Sequence, residues 1–279
     1  MAERDLYRNR DFIPDFDAIM AETEARSRAF AETVRIERNL SYGPTPRQSF
    51  DLVFPPDPAP GAPLHMFIHG GYWRGGSKAA HTRVAAPVIA AGGIAALIGY
   101  DLMPGTRLAE IVAQVRRAAR HVVRMAPEIG ADPARFTVSG HSAGAHLASL
   151  LASEAPGDAG PADLPALRGL ILVSGIYDLS GIPGSFLKDE AKMTDDEARA
   201  WSPLLARHIP GPRRIITRGD EETAPFQDQA VALNALLDRE EQPTELRRER
   251  GRNHLTVVHD LADPDAPLGR RLLELVASS

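Results

Sequence analysis

Three short stretches carry residue types suited to nucleophilic chemistry: "GHSAG" at 140–144, "HGGYW" at 69–73 and "RNHLTVVH" at 252–259. The first fits G-x-S-x-G and lies between an apolar run, "RFTVS", and an Ala/Leu-rich helical pattern, "AHLASLLAS". In that setting Ser142 must occupy a tight strand-to-helix turn that projects its hydroxyl outward. The positions two before and two after it then face neighbouring backbone and accept only small residues. The helix N-terminus behind the serine favours negative charge developing in front of it.

An acyl-transfer serine also needs donors for the oxyanion. One is the backbone N–H of Ala143, the residue after the nucleophile. Another must come from a loop following an earlier neighbouring strand, and "HGGYW" follows the apolar run "LHMFI". Gly70 and Gly71 let backbone N–H groups turn inward with no Cβ in the way. His69 reads as a brace for this turn. Tyr72 and Trp73 either line the substrate pocket, Trp73 ahead of Tyr72, or pack the loop. His141, beside the nucleophile, is placed to touch substrate, whereas His146 reads as helix packing.

The chain order Ser, acid, His puts the base after the last strand. His254 follows that strand in a Gly/Asn loop, while His259 lies five residues on in a helical pattern, so His254 is the expected base. The acid is less sharply defined. The strand "RRIITRG" ends at Gly219 and is followed by "DEETAPF", so Asp220, Glu221 and Glu222 all lie where the carboxylate belongs. Asp178, in "SGIYDL" after the preceding strand, is a further candidate. A Glu reaches about one methylene farther than an Asp and can still orient an imidazole, so residue type excludes none of them. The remaining acids of the run read as a solvated loop capping the next helix.

Alternating elements must hold these residues. Strand patterns fall at 34–43, 48–56, 64–69, 93–100, 135–140, 168–174, 213–218 and 243–250. Helical patterns fall at 78–91, 106–126, 143–155, 191–206, 224–240 and 267–277. Near-continuous apolar runs mean strands covered on both faces, hence a mostly parallel sheet. The alternation predicts an α/β chain, doubly wound, with about eight strands and helices on both faces. The first two strands form an antiparallel edge. A single domain over 1–279 is expected. An N-terminal helix over 11–33, with Phe12, Ile13, Phe16, Ile19 and Met20 on one face, docks on the core or covers the site. The segment 175–203 is longer than a plain crossover and reads as a partial lid or a long surface loop.

Bulk composition narrows the classes. The chain has 279 residues, 43% hydrophobic and 25% charged, as expected for a globular protein with a sizeable core. A net charge of −5 without a basic block argues against nucleic acid and anionic membrane as partners. With no cysteine, thiolate metal sites and a Cys nucleophile are excluded. The charged start "MAERDLYRNRDF" has no apolar core of a secretory signal, and the broken, Ala-rich run at 84–100 is a poor membrane span. A cytoplasmic location is expected.

Together these segments resemble the α/β-hydrolase superfamily, on its hormone-sensitive-lipase-like side with an HGG oxyanion loop. More narrowly, "LYRNRDFIPDF", "HGGYWRGGSK", "YDLMPGTRLAEIVAQVRRA", "VSGHSAGAHLA", "SGIYDL", "DDEARAWSP" and "NHLTVV" are similar to the blocks of the kynurenine formamidase (arylformamidase) group, across nearly the whole chain. The resemblance implies hydrolysis of an aryl formamide, N-formylkynurenine to kynurenine and formate in tryptophan degradation. Ser142 would be nucleophile and His254 base, with Gly70, Gly71 and Ala143 as oxyanion hole. In this fold the acid commonly stands three residues after the strand-ending glycine, which points to Glu222; the group generally uses Asp, so Glu222 is a departure. Related bacterial enzymes with the same blocks cleave small esters, so a short-chain carboxylesterase is the alternative. No cofactor or metal is implied, the partner is a small-molecule substrate, and a homodimer is expected by analogy.

Overall fold

Every residue of the strands Ser49–Phe54, Ala62–Ile68, Ile94–Ile98 and Gly169–Val173 is buried. A strand hidden on both faces needs helices above and below it. The computed structural model, which describes residues 4–154, 156 and 164–279, shows that arrangement. Its strands are β1 (Arg35–Ser41), β2 (Ser49–Phe54), β3 (Ala62–Ile68), β4 (Ile94–Ile98), β5 (Ala131–His141), β6 (Gly169–Val173), β7 (Arg213–Gly219) and β8 (Thr244–Glu249). Its helices are α1 (Phe16–Ala31), α2 (Ala85–Ala90), α3 (Leu108–Met125), α4 (Ala143–Ser149), α5 (Lys188–Ala191), α6 (Asp195–Ala200), α7 (Ala224–Arg239), α8 (Val257–Leu261) and α9 (Pro267–Ala277).

The eight strands form one sheet in the order β1-β2-β4-β3-β5-β6-β7-β8. β1–β2 and β2–β4 pair antiparallel and the remaining pairs are parallel. Alternate side chains feed two cores. Leu64, Met66 and Ile68 of β3, with Leu170 and Leu172 of β6, join the core shared with α3, α4 and α7. Phe67, Ile171 and Val173 point the other way, into the core shared with α2, α8 and α9. This period of two, repeated on neighbouring strands, lets one sheet serve both layers. A polar inlay interrupts it: buried His65 of β3 bonds Thr137 Oγ1 at 2.8 Å and Ser139 Oγ at 2.7 Å on β5.

The topology selects one end of the sheet. The chain runs from β3 outward to β4, then returns to lay β5 on the other side of β3. This reversal opens a crevice beyond the carboxyl ends of β3 and β5, where doubly wound sheets bind ligands. "HGGYW" follows β3 and Ser142 follows β5.

Several boundaries differ from the sequence reading. The N-terminal helix starts at Phe16 rather than 11, behind Pro14 and a 3₁₀ turn at Asn9–Asp11. The helical pattern at 78–91 is a 3₁₀ segment, Ala79–Val84, leading into α2. The pattern at 191–206 divides because Lys192 takes a left-handed conformation and Thr194 starts α6 by accepting from the Glu197 amide at 3.1 Å. The end of the 143–155 pattern, residue 155, lies outside the described residues.

Candidate active site

At the end of β5 the backbone of Ser142 adopts φ 56°, ψ −122°, a conformation that costs an L-residue about 1–3 kcal/mol. The surroundings hold it there. A Cβ on Gly140 would stand 2.2 Å from the Gly144 carbonyl oxygen, and one on Gly144 would stand 2.0 Å from that of Ile68. Both positions are therefore closed to any larger residue, which is the physical content of the G-x-S-x-G spacing. The Ser142 amide is fastened to Val173 O on β6 at 2.8 Å.

From this turn a continuous hydrogen-bonded chain runs through three segments. Ser142 Oγ lies 2.9 Å from His254 Nε2, and His254 Nδ1 lies 2.9 Å from Glu222 Oε2. With Glu222 ionised, Nδ1–H donates to the carboxylate and Nε2 is left to accept from the serine. The other Glu222 oxygen accepts from Ser174 Oγ at 2.5 Å and from the Gly219 amide at 2.6 Å. The Glu222 side chain is 0% exposed, so these bonds replace the water a carboxylate would otherwise need. The imidazole is held on two faces, with the Phe226 ring centroid 4.2 Å away and that of His141 4.9 Å away.

Asp220, Glu221 and Asp178 serve elsewhere. Asp220 Oδ1 accepts from the Gly251 amide at 2.7 Å and ties the ends of β7 and β8 together. Asp178 Oδ1 accepts from the Ser180 amide at 2.9 Å. Glu221 is exposed. The expectation that two acids of this run cap the following helix is corrected, because Thr223 is the N-cap of α7 and no side-chain cap bond forms.

Gly70 packs directly on the serine, where a Cβ on it would stand 3.0 Å from Ser142 Cβ. Gly71 has φ +116°, a conformation L side chains rarely adopt. Among the described residues neither glycine amide finds a hydrogen-bond acceptor within the protein. His69 braces this loop as expected, donating from Nδ1 to Gly70 O at 2.7 Å and stacking on Tyr100 at 4.4 Å. His141 Nε2 donates to His254 O at 2.8 Å. Burial, and then the neighbouring His254, hold the His141 pKa well below the usual imidazole value, so it stays neutral.

Of the two aromatic residues expected to line the pocket or pack the loop, Tyr72 does the first and Trp73, the one favoured for the pocket, does the second. Trp73 is fully buried and does not reach the cavity over Ser142; its Nε1–H donates to His146 Nδ1 at 3.1 Å. His146 in turn donates from Nε2 to Trp201 O at 2.8 Å. Tyr72 lines the cavity instead. Both residues take left-handed backbone conformations, with φ 51° and 58°.

The cavity has a volume of about 370 Å³ and is lined by Gly70, Gly71, His141, Ser142 and His254. It is also lined by residues the sequence pattern did not single out: Arg8, Asn9 and Arg10 before α1, Arg74 after the glycine loop, and Phe186 and Glu190 from the 175–203 segment. Phe16, Met20 and Thr23 place one face of α1 along the cavity. Only tertiary packing brings these remote segments over the serine. Ser174, which donates to Glu222, was also missed; its signal in the sequence is its place directly after β6, the strand paired with β5.

A doubly wound sheet with a strained serine at its β5 turn defines an α/β-hydrolase. The chain belongs to the BD-FAE family, whose model matches residues 50–233. It is 28% identical over 277 residues to a kynurenine formamidase of Salmo salar, covering 96% of this chain and 90% of that protein. A solved candidate thioesterase from Silicibacter sp. TM1040 superposes with a TM-score of 0.82 at 26% identity, covering 98% of both chains. The carboxylesterase EstE1, cloned from a metagenomic library, shares the fold with a TM-score of 0.67 at 20% identity, covering 94% of this chain and 95% of that one. The protein is a hydrolase of the formamidase/esterase type. Among the described residues no helix is long and apolar enough to cross a membrane.

Proposed function

We propose that the protein is a serine hydrolase cleaving aryl formamides, with N-formylkynurenine as the leading substrate. The observation that carries the reading is the unbroken chain Ser142 Oγ to His254 Nε2 to Glu222, with both links at 2.9 Å. The near full-length likeness to a kynurenine formamidase supports the choice of substrate.

In this mechanism Ser142 Oγ attacks the formyl carbon as His254 Nε2 takes its proton. Glu222 holds the Nδ1–H tautomer and stabilises the imidazolium. The carbonyl oxygen, now an alkoxide, is received by the amides of Gly70, Gly71 and Ala143. His254 returns the proton to the aryl nitrogen, the C–N bond breaks and the arylamine leaves. Water, deprotonated by His254, then attacks the formyl-serine ester and releases formate. The neutral state of His141 keeps a second positive charge away from the imidazolium.

The likeness to a candidate thioesterase, which would cleave an acyl group from sulfur, favours a second reading in which the same residues act on small activated esters rather than formamides. Steady-state kinetics with N-formylkynurenine and p-nitrophenyl esters of increasing acyl length separate the two. The formamidase reading expects the larger kcat/KM on the formamide; esters preferred by orders of magnitude would reject it.

A further inference from the structure

Three arginines line the cavity, and they are not equally engaged. Arg10 grips Asp17 in a two-point fork at 2.5 and 2.8 Å. Arg74 pairs with Glu190 at 2.7 Å, so those two charges answer each other. Arg8 approaches Asp11 only to 3.9 Å and, among the described residues, makes no hydrogen bond through its guanidinium. The other carboxylate near this wall, Asp5, spends its oxygens on the amides of Tyr7 and Phe186. Arg8 is thus the least tightly paired of the three.

Arg8 is also held at its base. Its neighbours on both sides are fastened to one atom of the glycine loop: the Tyr72 hydroxyl donates to Tyr7 O, and Asn9 Nδ2 donates to the same hydroxyl at 3.4 Å. The strap continues on either side. Thr223 Oγ1 donates to Leu6 O at 2.7 Å, and Gln229 Nε2 donates to the Tyr7 hydroxyl at 3.1 Å. The backbone at Arg8 is therefore bolted across the site. Its guanidinium carbon lies 5.8 Å from the Phe186 ring centroid, a ring that also has Arg74 at 5.9 Å. A planar cation beside an aromatic ring on a fixed backbone is preorganised to receive a carboxylate.

We infer that Arg8 is a specificity-determining residue that selects substrates carrying a carboxylate on the part that leaves. This rests on the reading of Ser142 as nucleophile. In the proposed reaction the acyl group is a single carbon, so the bulk of the substrate belongs to the leaving part and must occupy the rest of the cavity, which Arg8 and Phe186 line. The substrate class is an acidic aryl amide or ester in preference to its neutral analogue.

The test compares two N-formylanilines that differ only in a side chain ending in a carboxylate or in a primary carboxamide. The readout is the ratio of their kcat/KM values. Arg8→Gln should lower the carboxylate-to-carboxamide ratio about tenfold, and Arg8→Glu should lower it further. The wild-type ratio should fall as salt is raised, because Arg8 is solvent-accessible and screened. A ratio within about twofold of wild type in both variants overturns the inference. Running the same pair as phenyl acetates separates the two claims. If only the acetates are cleaved, the formamide reading fails while the ratio still reports on Arg8.

Discussion

Each side chain of the Ser142–His254–Glu222 chain owes its geometry to its immediate contacts. Glu222 is fully enclosed, yet it has three hydrogen-bond donors for its two oxygens in Ser174, Gly219 and His254. Removing its charge should leave the packing intact while favouring the wrong imidazole tautomer. Glu222→Gln is expected to lower kcat by about 10³- to 10⁴-fold, and Asp220→Asn by less than about tenfold, in parallel assays. The converse result would move the acid to Asp220. Ser142→Ala should reduce turnover by at least about 10⁴-fold, with no burst of acyl-enzyme in rapid-mixing experiments. Glu222 was legible in sequence as one of three adjacent acids. It was also the acid the resemblance pointed to, and the turn after β7 brings it against His254 while directing Asp220 to Gly251.

At the scale of elements, the turn from β5 into α4 and the loop after β3 must fit each other. Gly144 touches the carbonyl that ends β3, so Gly144→Ala cannot be seated without separating the two. That variant should lose activity and also lower the thermal midpoint by several degrees in calorimetry, as overpacking costing about 1–3 kcal/mol would. Tyr72 joins the glycine loop to the N-terminal strap through its hydroxyl. Tyr72→Phe keeps the ring but cuts that tie. It should cost about 1 kcal/mol of stability in urea titration and lower kcat more than it raises KM. A change in KM alone would show that the hydroxyl contacts substrate instead of steadying the loop. The α1 face was visible as apolar spacing, but the pattern could not show that Phe16 and Met20 look into the cavity while Ile13 is buried in the protein.

Across the whole molecule, buried histidines couple folding to pH. Burial pushes His65 and His69 down to about 3, and His146 and His208 down to about 4. Their folded values lie below the unfolded value near 6.5. Between those limits the unfolded chain binds more protons, so stability is present at neutral pH and is lost as pH falls below about 6.5. Each such histidine contributes a slope of at most about 1.4 kcal/mol per pH unit. Urea midpoints measured from pH 7 to pH 5 should therefore decline, and His65→Asn should flatten the decline. A flat profile in the wild type would show that these imidazoles are not kept neutral by the fold.

The residue order alone determined the strand and helix alternation, the doubly wound class, the serine turn and the order of the groups that follow it. Those are local properties: side-chain period, glycine at crowded turns and apolar runs are written along the chain itself. Tertiary structure decided which acid meets His254, that Tyr72 rather than Trp73 faces the cavity, and which charges stand over Ser142. Each depends on backbone direction at a few turns and on segments tens to more than a hundred residues apart coming together, and such meetings are set by packing.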